Sequence, residues 1–225
     1  MKKTAVAGWA LVAAVAILCP VDASQAAVRT DVTAGFLYLM PSDNQNYDSG
    51  YGVEAQMRFW VNPRLALAIA GGGEIWKVTE QTSTADADIL FVTGTQSGSV
   101  NLFPIGGSVW LRPLATETVD LSVEVGARYV IVKSRADVEV TLHNSPDPGV
   151  QDGITLRDRI AIENGVIGVV GLNLEVKPTR ALSLFGGVGY QFDITKGKVS
   201  WLGFGSDDDN RLEAFQARIG LGVAL

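Results

Sequence analysis

Residues 213–225 read E-A-F-Q-A-R-I-G-L-G-V-A-L. Phe215, Ala217, Ile219, Leu221, Val223 and Leu225 are apolar. The residues between them, Ala214, Gln216, Arg218, Gly220, Gly222 and Ala224, are small or polar. A period of two held over this length is the signature of a β-strand. The same pattern recurs along the chain. Residues 51–61 alternate Tyr51, Val53, Ala55, Met57, Phe59 and Val61 with Gly52, Glu54, Gln56, Arg58 and Trp60. Residues 65–78 set Leu67, Ile69 and Ile75 against Ala66, Ala68, Ala70, Gly72 and Glu74. Residues 119–131 set Leu121, Val123, Val125, Ala127, Tyr129 and Ile131 against Asp120, Ser122, Glu124, Gly126 and Arg128. Residues 159–176 set Ile160, Ile162, Val166, Val170, Leu172, Leu174 and Val176 against Glu163, Gly165, Gly171, Asn173 and Glu175.

Three further strands are expected. Residues 28–40 carry Val32, Ala34, Phe36, Tyr38 and Met40 on one face, but Leu37 and Leu39 blur the other. Residues 100–111 contain Pro104, which has no N–H for a ladder and predicts a bulge or a rim position. Residues 180–201 place Leu182, Leu184, Val188, Tyr190, Phe192 and Ile194 on one face. Beyond Lys133 the apolar residues Val138, Val140 and Leu142 move to even positions, which predicts a bulge at 133–136.

The connections alternate in length. Short turns lie at Pro63, Pro113 and Pro178; long polar loops span 41–50, 79–98 (with a short strand at 89–93), 143–157 and 203–211. Seven connections join eight strands. One face of each strand is nearly free of charge and the other carries charged, small and glycine residues. That inverts a soluble ligand-binding barrel and fits a closed antiparallel barrel facing lipid outward. The expected fold is all-β, an eight-stranded up-and-down transmembrane barrel spanning residues 27–225.

Residues 1–26 read as a secretory signal peptide: Lys2 and Lys3, an apolar run over 5–19, Pro20, then Ser24-Gln25-Ala26. Cys19 is the only cysteine, so no disulfide is expected beyond that segment. The net charge of −6 argues against a basic nucleic-acid-binding face. The 25 glycines cluster inside apolar stretches, where they permit tight curvature.

The last octet is similar to the terminal assembly signal of bacterial outer-membrane barrels. Arg218 and Gly220 match it, whereas Val223 and Leu225 stand where aromatic residues are usual. With the strand pattern, the whole mature chain resembles the small eight-stranded outer-membrane barrels, the OmpA transmembrane-domain, OmpX and OmpW group. The resemblance implies an integral outer-membrane location, both termini periplasmic and long loops outside. It implies as partners outer-membrane lipid, lipopolysaccharide and the barrel-assembly machinery, with no nucleic acid, and no cofactor.

Candidate chemistry lies on the charged face. Glu54, Arg58, Glu74, Glu124, Arg128, Glu163 and Arg218 are expected to meet in a lumen barely wide enough for its own side chains, where pairing is close to compulsory. Two roles follow. One is a structural or surface-interaction protein whose lumen is filled by ion pairs. The other, implied by the OmpW resemblance, is a passive channel for small, even apolar, solutes. A lipid-modifying enzyme is a distant third, since His143, Ser145 and Asp147 share one Pro-rich loop rather than a rigid frame. Asp207, Asp208, Asp209 and Asn210 read as a solvated acidic tip, without the spacing of a calcium loop. Trp60, Trp76, Trp110, Trp201, Tyr38, Tyr51 and Tyr190 are candidates for interfacial aromatic belts, but Trp60, Trp76 and Trp110 fall on the inward parity near strand ends, which disagrees with a simple belt.

Overall fold

The structure is a computed structural model that describes residues 29–42, 47–87, 90–143, 153–195, 197–201, 204–210 and 212–225. The proposed signal segment, with Ser145 and Asp147, lies outside the described residues. In chain order the strands are β1 (Arg29–Pro41), β2 (Tyr47–Asn62), β3 (Leu65–Val78), β4 (Gln81–Ala87), β5 (Leu90–Ser97), β6 (Ser99–Ala115), β7 (Val119–Ser134), β8 (Asp137–His143), β9 (Gly153–Arg159), β10 (Ala161–Ile162), β11 (Gly165–Val176), β12 (Leu182–Thr195), β13 (Gly197–Trp201), β14 (Phe204–Asn210) and β15 (Ala214–Ala224).

Eight of these close a barrel in the order β1-β15-β12-β11-β7-β6-β3-β2, every pair antiparallel. The final strand pairs with β12 on one side and β1 on the other. Following the paired residue around the wall runs Asp31, Arg58, Ala68, Ser108, Gly126, Val169, Gln191, Ala214 and back to β1 at Pro41. The sheet therefore closes with a stagger of ten residues, from 31 to 41. For eight strands that stagger sets a tilt of roughly 40° and a backbone radius of about 8 Å.

Alternation is held throughout the wall. Phe36, Ile69, Val188 and Ile219 project outward, between 61% and 69% exposed. Even positions on β2, β3, β6, β7 and β15, and odd positions on β1, β11 and β12, point inward. Leu37 and Leu39 thus face the interior, as their position on β1 requires.

Pro104 sits in the body of β6, paired with Val130. No bulge forms there. The β3–β6 ladder instead passes from Gly71–Ile105 to Glu74–Leu102 without a change of register, leaving the gap where the proline has no hydrogen to donate. The bulge on β6 lies further on, between Leu111 and Leu114, beside Pro113.

Where they are described, the long connections carry further strands. β4, β5, β8 and β9 form a four-stranded sheet, and β10, β13 and β14 a three-stranded one. The parity expected to flip near 133–136 does not. Val100 pairs with Ser134, the Arg135 N–H donates to the Ser99 carbonyl at 2.8 Å, and Ser97 pairs with Asp137, all in one register. Gly98, at φ 125°, joins β5 to β6 within this run. What changes is the surroundings. As far as Tyr129 the apolar side chains of β7 face outward, whereas Val130, Val132, Ala136 and Val138, on the inward parity, belong to or pack against the apolar core inside the barrel mouth. Asp137 and Glu139 take the outer face, where they pair with Arg159 and Arg157. The expected strands at 159–176 and 180–201 are likewise each divided, at β10–β11 and β12–β13.

Candidate functional site: the barrel interior

The interior is layered from the short-turn end to the long-connection end. At the short turns, Asp31 on β1 accepts from Trp60 Nε1 at 2.6 Å and pairs with Arg58 at 3.4 Å. Arg58 also pairs with Glu175 on β11 at 2.9 Å. Asp120 on β7 pairs with Arg112 at 3.1 Å and with Lys177 at 2.5 Å. The Arg112 guanidinium lies 3.5 Å from the centroid of the Trp60 ring, and Arg58 lies 5.1 Å from that of Trp110. All three predicted inward tryptophans are buried. Their N–H groups are used on polar neighbours: Trp60 on Asp31, Trp76 on Glu74 at 2.9 Å, and Trp110 on Ser108 at 3.0 Å.

In the middle, two acids and two bases form a closed quartet. Arg128 pairs with Glu54, and Arg218 with Glu124. The cross pairs are Arg128–Glu124 at 3.4 Å and Arg218–Glu54 at 3.5 Å. Gln56 donates to both carboxylates, at 2.5 Å to Glu54 and 3.3 Å to Glu124. Equal numbers of each sign make the quartet neutral, and burial among fixed partners is the condition under which such charges are tolerated. Glu74 lies beside it with Trp76 as its donor, and its Oε1 has no hydrogen-bond partner among the described residues.

Room for these side chains comes from the neighbouring strands. Glu54 is flanked across the ladders by Gly35 and Gly72, Glu74 by Gly52, Arg128 by Gly106, Glu124 by Gly171 and Arg218 by Gly187. A Cβ at Gly171 would stand 2.6 Å from the Arg218 guanidinium, and one at Gly106 2.6 Å from the Arg128 Cα. Between the layers a cavity of about 10 Å³ is lined by Thr33, Gly35, Glu54, Trp110, Asn173 and Arg218, no larger than one water molecule.

At the long-connection end the interior is apolar. Leu37, Leu39, Trp76, Val100, Leu102, Val130, Ile167 and Val169 form one cluster, with Val132 and Val138 against it. The sequence pattern does not single out this plug, because apolar residues on the inward parity look like breaks in the alternation.

The expected network is therefore regrouped. Glu54, Glu124, Arg128 and Arg218 meet, Glu74 is adjacent, and Arg58 belongs to the short-turn layer. Glu163 does not join them. It is exposed in the connection between β10 and β11, outside the regular wall, so its parity says nothing about the lumen. Asp31, Arg112, Asp120, Glu175 and Lys177 complete the ion pairs and went unselected. Asp120 and Glu175 were on the correct face, and Arg112 keeps the inward parity of β6 immediately before Pro113. In the terminal octet, Arg218 and Gly220 point inward while Val223 and Leu225 are exposed. Gly220 pairs with Gly35 and Phe185, and a Cβ on it would stand 2.7 Å from the Phe185 ring. His143 pairs through its backbone with Phe91 and Gly153. The backbone of residues 207–210 lies in β14; side chains there are outside the described residues.

The Trp60–Asp31 bond should be measurable. Trp60→Phe keeps the ring beneath Arg112 and removes the donor to a buried carboxylate, at an expected cost of about 1.5–3 kcal/mol. The midpoint of urea unfolding in phospholipid vesicles, read by gel migration, checks this; an unchanged midpoint would show the bond to be idle.

No family model and no curated protein matches the sequence. Solved structures do. The outer membrane protein OprG from Pseudomonas aeruginosa is 12% identical, with a TM-score of 0.52 over 88% of this chain and 96% of that one. Ail, the attachment invasion locus protein of Yersinia pestis, in complex with the heparin analogue sucrose octasulfate, is 10% identical, with a TM-score of 0.44 over 88% and 99% of the two chains. Neisserial surface protein A is 15% identical, with a TM-score of 0.44 over 88% and 97%. The fold is that of the small eight-stranded outer-membrane β-barrels.

Proposed function

We propose that this chain is an integral outer-membrane protein with a sealed barrel, acting through what it presents at the surface rather than through conduction. The observation that carries this reading is the filled interior: an apolar plug at one end, a neutral ion quartet in the middle and paired charges at the other. Exposed apolar side chains on the outer wall supply the lipid-facing band. The termini and short turns then lie on the periplasmic side, and the four-stranded sheet stands outside. Its face with Ile154 and Leu156, 67% and 44% exposed, offers apolar surface to a partner there. The signal segment directs export and is removed before Ala27. The final strand, with Arg218, Gly220, Val223 and Leu225, is read by the barrel-assembly machinery.

Conductance in planar bilayers tests the sealed barrel. The parent protein should be nearly silent. Arg128→Ala, which opens space beside Gly106 and leaves Glu54 with a weaker partner, should show intermittent leak. Frequent, well-defined openings of the parent would overturn the reading in favour of a passive channel for small solutes.

A further inference from the structure

We infer that the outer face of β3, β6 and β7, at the long-connection end, holds a phosphate group of a glycolipid headgroup in the surrounding leaflet. This rests on the proposed outer-membrane location. Two rows of the wall make the site. In one, Lys77 pairs with Ser99, and Ser99 accepts from the Arg135 backbone, so the two cations flank a serine on the outward parity. In the next row toward the short turns, Asn101 pairs with Lys133. Strand spacing puts Lys77 and Arg135 roughly 10 Å apart, within reach of one phosphate for side chains of that length. Between them Ser99 and Asn101 present a hydroxyl and an amide that make no side-chain hydrogen bond among the described residues.

One row further down the wall becomes apolar. Phe103 is exposed, and the Lys133 ammonium lies 5.6 Å from its ring centroid. The cradle therefore sits where a lipid-facing band gives way to polar surface, the level of headgroups. Its charge is in excess. Lys77 has only a long contact to Asp48 at 3.9 Å between two exposed groups, and neither Lys133 nor Arg135 has an ion-pair partner among the described residues. The cations just beyond, Arg157 and Arg159, are already paired with Glu139 and Asp137. Cations with neutral donors above an apolar floor suit a phosphorylated sugar whose acyl chains descend along Phe103 and Ile131.

The test is binding of purified full-length protein, in mixed detergent micelles, to bis-phosphorylated lipid A, to its dephosphorylated form and to phosphatidylglycerol. Each cation removed should weaken binding to phosphorylated lipid A about five-fold, and Lys77→Gln, Lys133→Gln and Arg135→Gln together on the order of a hundredfold. Arg157→Gln with Arg159→Gln should leave it within about two-fold. Heat-modifiable gel migration of every variant separates the outcomes. A folded triple variant that binds like the parent, or a parent indifferent to dephosphorylation, overturns the cradle and leaves the location standing. A parent that prefers phosphatidylglycerol overturns the assigned lipid. A parent that never forms a heat-modifiable barrel overturns both readings.

Discussion

Arg128→Ala will cost about 3–5 kcal/mol of stability, the range for removing one partner of a buried ion pair. The quartet of Glu54, Glu124, Arg128 and Arg218 is neutral because its members are equal in number. Without Arg128, two carboxylates share one guanidinium at 3.5 Å or less, with the Glu74 carboxyl beside them. The whole penalty comes from the groups left behind, so a compensating change should recover most of it. Arg128→Met combined with Glu54→Gln removes one charge of each sign and should fall within about 1–2 kcal/mol of the parent, since exchanging a buried pair for neutral groups is often close to neutral. Urea unfolding of the parent, the single variant and the pair in one vesicle composition measures both numbers. If the single variant loses less than about 1 kcal/mol, the interior is more hydrated than its geometry implies.

On the outer wall the sign of the effect depends on which face is touched. Leu221→Arg places a cation among Ala34 and Leu184 on the lipid side and should cost roughly 2–4 kcal/mol. Val223→Arg lies nearer the rim and should cost less, because a long side chain there reaches the headgroup level. Ala224→Arg, on the inward parity at the end of β15, should cost least. The ordering can be read from the folded fraction on heat-modifiable gels at fixed urea. Equal losses at all three would mean that depth and facing have been misassigned.

The sequence disclosed the wall well because lipid rewards strict alternation. β2 and β15 each carry a charge-free face, β3 and β7 do so as far as Lys77 and Lys133 near their ends, and the stretch of Glu54 to Arg58 already showed acids and bases on the opposite one. Prediction failed where the environment changes along a strand that itself runs straight. Val138, Val140 and Leu142 keep the register of β7, but beyond the bilayer water takes the outer face and the apolar side chains occupy the inner one. Read from sequence alone, that exchange is indistinguishable from a bulge. Leu37 and Leu39 misled for the same reason, since they belong to an apolar plug inside a wall whose interior was expected to be polar. Glu163 had the correct parity but lies in an irregular connection, where parity carries no facing. Partners were harder still. Asp31 meets Arg58 and Trp60 across the β1–β2 ladder, while Glu175 on β11 reaches Arg58 only across the interior of the closed barrel.

The glycines opposite the buried charges bear on how this chain can drift in evolution. Glu54 with Gly35 and Gly72, Glu74 with Gly52 and Arg128 with Gly106 are pairs on adjacent strands that divide one fixed volume between them. A side chain gained at position 106 can be accommodated only if position 128 becomes smaller, and loss of that cation in turn asks for loss of an acid at 54 or 124. Substitutions inside the wall are thus coupled in both size and charge, while the outer face is free to exchange one apolar residue for another. Descendants of this sequence should diverge quickly at positions 36, 69, 188 and 219 and change their interior in linked steps across neighbouring strands.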